Sequence, residues 1–275
     1  METFEIKLPN QVVVHDRVPD MARTLHQQVQ GYFRPRLESA LAAGEVTVVD
    51  VGANIGLFAI EVLRRTGGRA RIHCFEPIPD TFELLQMNLR PFASERVRAH
   101  RAGLGRTAGT ATFHYSPRQS AISSMYDMMA SEDKEATLAA IYDPRICEKH
   151  HADLPVLMRY LPRAVNSFLI DCHGWWMKRG MTRVTCQLTT LSEFMDREQI
   201  EHIDVLKIDA EKAELDVLEG IRPGDWAKIG AIALELHDFE GRGERVRRML
   251  VEQGFDVETD RVCPEDVIIN VMRYR

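Results

Sequence analysis

The sequence predicts an open α/β fold: a mostly parallel sheet with helices on both faces and an antiparallel hairpin at its end. Three observations predict it. Short β-branched runs alternate with helical stretches from Val46 onward. A glycine-bearing turn, Asp50-Val51-Gly52-Ala53-Asn54-Ile55-Gly56, joins the first such run to a helix. Two closing runs, Phe255 to Thr259 and Asp266 to Arg273, follow one another with no helix between them, so they pair as a hairpin.

Phe4 to Leu8 reads as a short strand or extended arm, followed by a helical region from Asp20 that Pro35 divides in two. Val46 to Val51, a short β-branched run, reads as a buried parallel strand. Ile55 to Arg65 is a helix stopped by Gly67-Gly68. Arg71 to Phe75 is the next strand. A helix then opens near Pro79-Asp80, with Phe82, Leu85 and Leu89 on one face. Val97 to His100 and Ala111 to Tyr115 are further strands. From Arg118 to Arg183 the alternation fails, apart from one helix expected at Ser131 to Tyr142. A long excursion of this kind reads as a lid or substrate-binding insertion. Thr190 with Glu193 forms a capping-box pattern that opens a short helix. Asp204 to Ile208 is a strand, Ala213 to Ile221 a helix, Ile229 to Leu236 a strand, and Glu244 to Gln253 a helix closed by Gly254.

Composition narrows the function classes. A net charge of -6 argues against a chain whose main task is neutralising phosphates, so no nucleic-acid partner is expected. Arg242, Arg245, Arg247 and Arg248 read as an exposed helix face paired with Glu240 and Glu244. Five cysteines without a CxxC pair fit free thiols in a reducing cytoplasm better than a disulfide framework. Cys147, His150, His151 and Asp153 match no zinc spacing, and no metal site is expected there. The absence of a long apolar run or signal-peptide pattern leads to the expectation of a cytoplasmic protein with no membrane partner. Met1 favours a free-standing protein over an excised domain.

The chemistry converges on the carboxyl ends of the strands, where open α/β sheets bind ligands. The turn after the first core strand has the spacing G-x-N-x-G, not the dinucleotide pattern G-x-G-x-x-G, and Asp50 sets a carboxylate where a pyrophosphate would be repelled. A ligand with a cationic end and no phosphates suits it better, and S-adenosylmethionine carries a sulfonium and an ammonium. Asp50, Gly52, Ala53, Asn54 and Gly56 are therefore the expected cofactor loop. Glu76 ends the next strand 24 residues after Gly52, the place of a carboxylate that accepts from ribose hydroxyls. Asp209 ends the strand before Glu211 and falls level with Gly52, within reach of the cofactor or the acceptor. Glu211 is expected to open the following helix, where the helix dipole alone also favours a carboxylate, and Glu214 reads as a helix-stabilising side chain. His237 ends the fifth core strand, suited to take a proton from an acceptor hydroxyl as the new bond forms, with Asp238 or Glu211 orienting its ring. Trp175, Trp176, Met177 and the tyrosines of the insertion are candidate pocket-lining residues, although many such aromatics are simply core.

The motifs VVDVGANIGLF, HCFEPIPDTFELLQMNL, TLSEF with IDVLKIDAEKAELDVLEGI, and ALELHD resemble the FkbM-type methyltransferase family. Within it the chain resembles the O-methyltransferases embedded in, or working beside, modular polyketide and nonribosomal peptide synthases. The features shared with that branch are Lys212 where the wider family has Gly, the start Leu8-Pro9-Asn10, the segment Tyr115 to Ser124, and Asp225-Trp226. The likeness runs from about residue 5 to residue 260 and weakens over the first 45 residues and around Asn166 to Met181. It implies a class I methyltransferase fold with a Rossmann-like, seven-stranded sheet, and S-adenosyl-L-methionine as methyl donor. The implied acceptor is a hydroxyl or enol oxygen, often on an acyl chain held by a carrier protein. In this reading the Gly52 loop and Glu76 hold the cofactor, and Glu211 and His237 match the family's acidic residue and histidine. Residues 1–45 form an arm or helical cap, and residues 46–275 form the cofactor domain with an insertion at about 118–183. Two rivals stand beside it: metal-assisted methylation of a sugar or small metabolite through Asp209, Glu235 and Asp238, and a non-catalytic docking module on the same fold.

Overall fold

The structure, a computed structural model, describes residues 3–42, 44–92, 95–116, 124–126, 134, 138, 141–142, 156–178, 180–237, 242–261 and 266–273. For residues 156–157, 173–174, 176–178, 237, 260–261, 266–268 and 270 it describes the backbone alone. Two short strands, β1 (Phe4–Lys7) and β2 (Val13–Asp16), pair antiparallel. Pro19 and Pro35 each stand in the first turn of a helix, where a missing N–H costs nothing, and open α1 (Pro19–Tyr32) and α2 (Pro35–Leu41). β3 (Thr47–Val51), α3 (Leu57–Arg65), β4 (Arg71–Phe75), α4 (Pro79–Leu89) and β5 (Val97–His100) follow within a residue or two of expectation.

Beyond β5 the chain departs from the sequence reading. β6 (Gly103–Leu104), β7 (Gly109–Tyr115) and β8 (Thr182–Thr189) form a separate three-stranded sheet, in the order β6-β8-β7. The run expected at Ala111 to Tyr115 thus pairs with β8 and not with the main sheet. Between β7 and β8 lies a helix the sequence reading missed, α5 (Arg163–Lys178). Its periodicity is concealed because Phe168 and Trp175 lie on the outside, 66% and 63% exposed, while polar Asn166 is buried. Of the helix expected at Ser131 to Tyr142, the described residues Lys134, Leu138, Ile141 and Tyr142 are helical. The cluster from Cys147 to Asp153 lies outside the described residues.

The second half of the alternation is α6 (Leu191–Glu198), β9 (Ile203–Ile208), α7 (Glu214–Glu219), β10 (Ile229–His237), α8 (Arg242–Glu252), β11 (Phe255–Arg261) and β12 (Asp266–Arg273). The capping box at α6 is present in both directions, Glu193 N–H to Thr190 Oγ1 at 3.1 Å and Thr190 N–H to Glu193 Oε2 at 3.3 Å. Among the described residues one sheet of seven strands runs β11-β12-β10-β9-β3-β4-β5, with β12 antiparallel to both its neighbours and the other core pairs parallel. This is the class I methyltransferase arrangement. The strand order reverses between β3 and β9, and the crevice at their carboxyl ends is where such sheets bind ligands.

Alternation along the strands divides the core into two layers. Val48, Cys74, Val205 and Ala233 face one side and pack with Tyr32, Leu37, Phe58 and Ile60. Val49, Phe75, Leu206 and Leu234 face the other and pack with Leu191, Phe194, Leu215 and Leu250. Ile6, Val14, Ala22, Tyr32 and Leu41 belong to the first layer, so the N-terminal elements share a core with the sheet.

Candidate active site

The register of β3 against β9 pairs Val51 with Ile208, and the N–H of Asp209 donates to Val51 O at 3.1 Å. Gly52 and Asp209 are therefore level at the crevice, as expected. Gly52 has φ +71°, and a Cβ there would lie 1.7 Å from the Asp209 carbonyl oxygen, so the two strand ends meet only because this residue is glycine.

Four N–H groups of the turn are taken up by protein acceptors. Those of Gly52 and Ala53 donate to Phe75 O at 3.1 and 2.9 Å, and that of Gly56 donates to Ala53 O at 2.8 Å. Asn54 N–H donates to Glu76 Oε2 at 3.1 Å, and Ile78 N–H donates to Glu76 Oε1 at 2.9 Å. A carboxylate thus occupies the N–H that a phosphate-binding turn would turn toward its ligand. Burial pushes the Glu76 carboxyl up to about 7, against the lowering effect of these two donors.

Of the expected cofactor loop, Gly52 and Asn54 reach the crevice surface, while Asp50, Ala53 and Gly56 are buried beneath it. Gly56, at φ +92°, caps α3 where a Cβ would stand 2.8 Å from Leu85 Cδ1, so its glycine serves the approach of α4. Asp50 departs from expectation. It is fully buried, and its carboxylate faces the ammonium of Lys207 at 3.2 Å and not a ligand. A charge inside a parallel strand is tolerated only when paired, and Lys207 pairs it.

Lys207 is the residue the sequence reading passed over. Its side chain is 4% exposed and lies 3.4 Å from Asp209 Oδ2, and its ammonium donates to Gly52 O at 2.9 Å. Burial alone would lower its pKa, but Asp50 and Asp209 outweigh this and hold it above its ordinary value, so it stays charged. The signal was available: a lysine between Leu206 and Ile208 inside a strand read as buried requires a buried partner.

Glu211 also departs from expectation. The helix α7 begins at Glu214, and Glu211 and Lys212 form a left-handed turn before it, at φ 47° and 75°. The Lys212 N–H donates to Glu214 Oε1 at 2.9 Å, so Glu214 supplies the carboxylate for the turn that leads into the helix. The turn is braced from outside by the Ser124 hydroxyl, which donates to Glu211 O, and by Arg242, which donates to Lys212 O at 2.9 Å. Arg247 pairs with Glu244 as expected, whereas Arg245 pairs with Glu219 of α7 and Arg242 turns inward to Lys212. His237 closes β10 at the same edge as Asp209, since Leu234 pairs with Ile208. Its side chain and Asp238 lie outside the described residues. Trp175 is an exposed residue on α5, and the side chains of Trp176 and Met177 lie outside the description.

Residues 50–257 match the family described as the methyltransferase FkbM domain. The chain belongs to this family. It is a methyltransferase, as several of its relatives are named. It is 26% identical to 31-O-demethyl-FK506 methyltransferase FkbM of Streptomyces tacrolimicus, over 93% of this chain and 90% of that one. It is also 26% identical to Methyltransferase 1 of Beauveria bassiana, over 78% of this chain and 74% of that one. A further match, 31% identical, is to the AMB antimetabolite synthetase AmbE of Pseudomonas aeruginosa; it covers 78% of this chain and 10% of the synthetase. Among the described residues no helix is long and apolar enough to cross a membrane.

Proposed function

We propose that this FkbM-family chain is an S-adenosylmethionine-dependent O-methyltransferase acting on a hydroxyl or enol oxygen of a natural-product intermediate. The observation that carries the reading is the bond from Asn54 N–H to Glu76, with the neighbouring N–H groups of the turn committed to Phe75 and Ala53. A crevice walled by Glu76 and Asp209, with the N–H groups of Gly52, Ala53, Asn54 and Gly56 already paired, suits a cationic ligand better than a pyrophosphate. Glu76 fits ribose hydroxyls, because an ionised carboxylate keeps acceptor capacity beyond its two backbone donors.

S-adenosylmethionine supplies a methyl group on a cationic sulfur. The chain's part is to hold the acceptor oxygen in line and to receive its proton. His237, at the edge of β10, is the general base in this reading, and Glu211 in the braced turn orients it or the acceptor. The names of two relatives, a 31-O-demethyl-FK506 methyltransferase and an antimetabolite synthetase, support a natural-product acceptor, either a free small molecule or an acyl chain on a carrier protein. The free thiols Cys74, Cys172 and Cys186 support a reducing, cytoplasmic setting.

The test is mass spectrometry of hydroxylated small molecules and acyl-loaded carrier proteins incubated with the chain and S-adenosylmethionine. The expected result is a gain of one methylene on oxygen. Methylation on nitrogen or carbon alone, or none across both acceptor sets, would count against the proposal.

A further inference from the structure

Tyr32 is the last residue of α1, in the N-terminal segment, yet it ends at the floor of the crevice. Its ring is 1% exposed and packs edge-on against Phe58, with centroids 5.9 Å apart. Its hydroxyl donates to Glu235 Oε2 at 2.5 Å, across 203 positions of sequence. A buried tyrosine hydroxyl needs a partner, and any backbone carbonyl would satisfy it. Here the partner is a carboxylate at the ligand edge.

The register explains why that matters. Ala233 pairs with Lys207 and Leu234 with Ile208, so Glu235 continues β10 alongside Asp209. Two like charges side by side on neighbouring strands repel, and each is held in place by a donor. Lys207 serves Asp209 from β9, and from α1 the Tyr32 hydroxyl donates to Glu235 while also facing Asp209. The ammonium of Lys207 also lies 5.7 Å from the Tyr32 ring centroid, so both donors belong to one buried group. Burial, together with Asp209 and Glu235, holds the Tyr32 hydroxyl well above its ordinary pKa, and it stays a donor.

We infer that Tyr32 is a positioning residue of the crevice, fixing Glu235 beside Asp209 so that the two carboxylates form one negative wall for a cationic ligand. This rests on the reading of the crevice as an S-adenosylmethionine site. It makes the N-terminal segment part of the site and ties discrimination between a charged and a neutral sulfur to a residue outside the strand edge.

The experiment is calorimetric titration of the full chain with S-adenosylmethionine and, separately, with S-adenosylhomocysteine, which lacks the sulfonium charge. Tyr32→Phe keeps the ring and removes the donor. It is expected to weaken S-adenosylmethionine binding about tenfold, the scale of a hydrogen bond to a charged group, while leaving S-adenosylhomocysteine nearly unchanged. Glu235→Gln, with Tyr32 intact, is expected to cause the same selective loss, and the double variant to be no worse than either single one. A purely structural role would move both ligands together or only the melting temperature. If either folded variant leaves the ratio of the two affinities at the wild-type value, the inference is overturned while the cofactor site stands. A wild-type chain that binds neither compound removes both readings.

Discussion

The ammonium of Lys207 donates to the carbonyl oxygen of Gly52 at 2.9 Å, tying the end of β9 to the glycine turn that follows β3. The same ammonium is paired with fully buried Asp50, so one cation holds a turn and neutralises the strand beneath it. Removing it leaves an uncompensated carboxylate in the core. Lys207→Met is therefore expected to destabilise the chain by about 3–5 kcal/mol in chemical denaturation. Adding Asp50→Asn should recover part of that loss, because the stranded charge is gone. Equal stability of wild type and Lys207→Met would show that the pair contributes nothing.

Glu76 gives the site a pH dependence. Its carboxyl, pushed up to about 7, accepts fully from ribose hydroxyls only once ionised, so cofactor affinity rises as pH climbs through neutrality and levels off above it. Stability runs the opposite way. Between the ordinary value of 4.5 and about 7 the folded chain keeps a proton that the unfolded chain has lost, so stability falls with rising pH across that window and is flat beyond. Glu76→Gln should bind cofactor more weakly and with no such slope. Titrations one unit either side of neutrality check this, and equal wild-type affinities would contradict it.

Lys212 holds φ 75°, a left-handed conformation that a β-carbon disfavours. Lys212→Gly should be more stable than Lys212→Ala by about 1 kcal/mol, since both lose the same side chain and only alanine keeps the strain. Thermal unfolding of the two variants decides it, and an alanine variant as stable as the glycine one would mean that the turn relaxes.

His237→Ala is expected to leave cofactor affinity intact and to lower turnover by about two to four orders of magnitude, the range for losing a general base. Single-turnover kinetics on an acceptor that the wild-type chain methylates, supplied with its hydroxyl free, checks it. An unchanged rate removes His237 from the mechanism.

Much of this was legible in the sequence because it is local. The strands Thr47–Val51 and Ile203–Ile208 announce themselves by their β-branched and aliphatic residues, and the turn between Gly52 and Gly56 and the box at Thr190 are set by neighbours in the chain. What stayed hidden depends on distant partners. Nothing around Tyr32 signals Glu235, and α5 shows a misleading face because its aromatic residues lie outside. Glu211 was misread because a left-handed pair of non-glycine residues, Glu211 and Lys212, has no sequence signature.

The central claim is that the crevice accepts a cation and rejects a phosphate. Equilibrium dialysis with methyl-labelled S-adenosylmethionine, in the presence and absence of excess NAD, tests it most directly. Saturable binding that NAD does not displace, and that Glu76→Ala abolishes with the melting temperature preserved, is the result expected. Displacement by NAD, or full binding by Glu76→Ala, would contradict it.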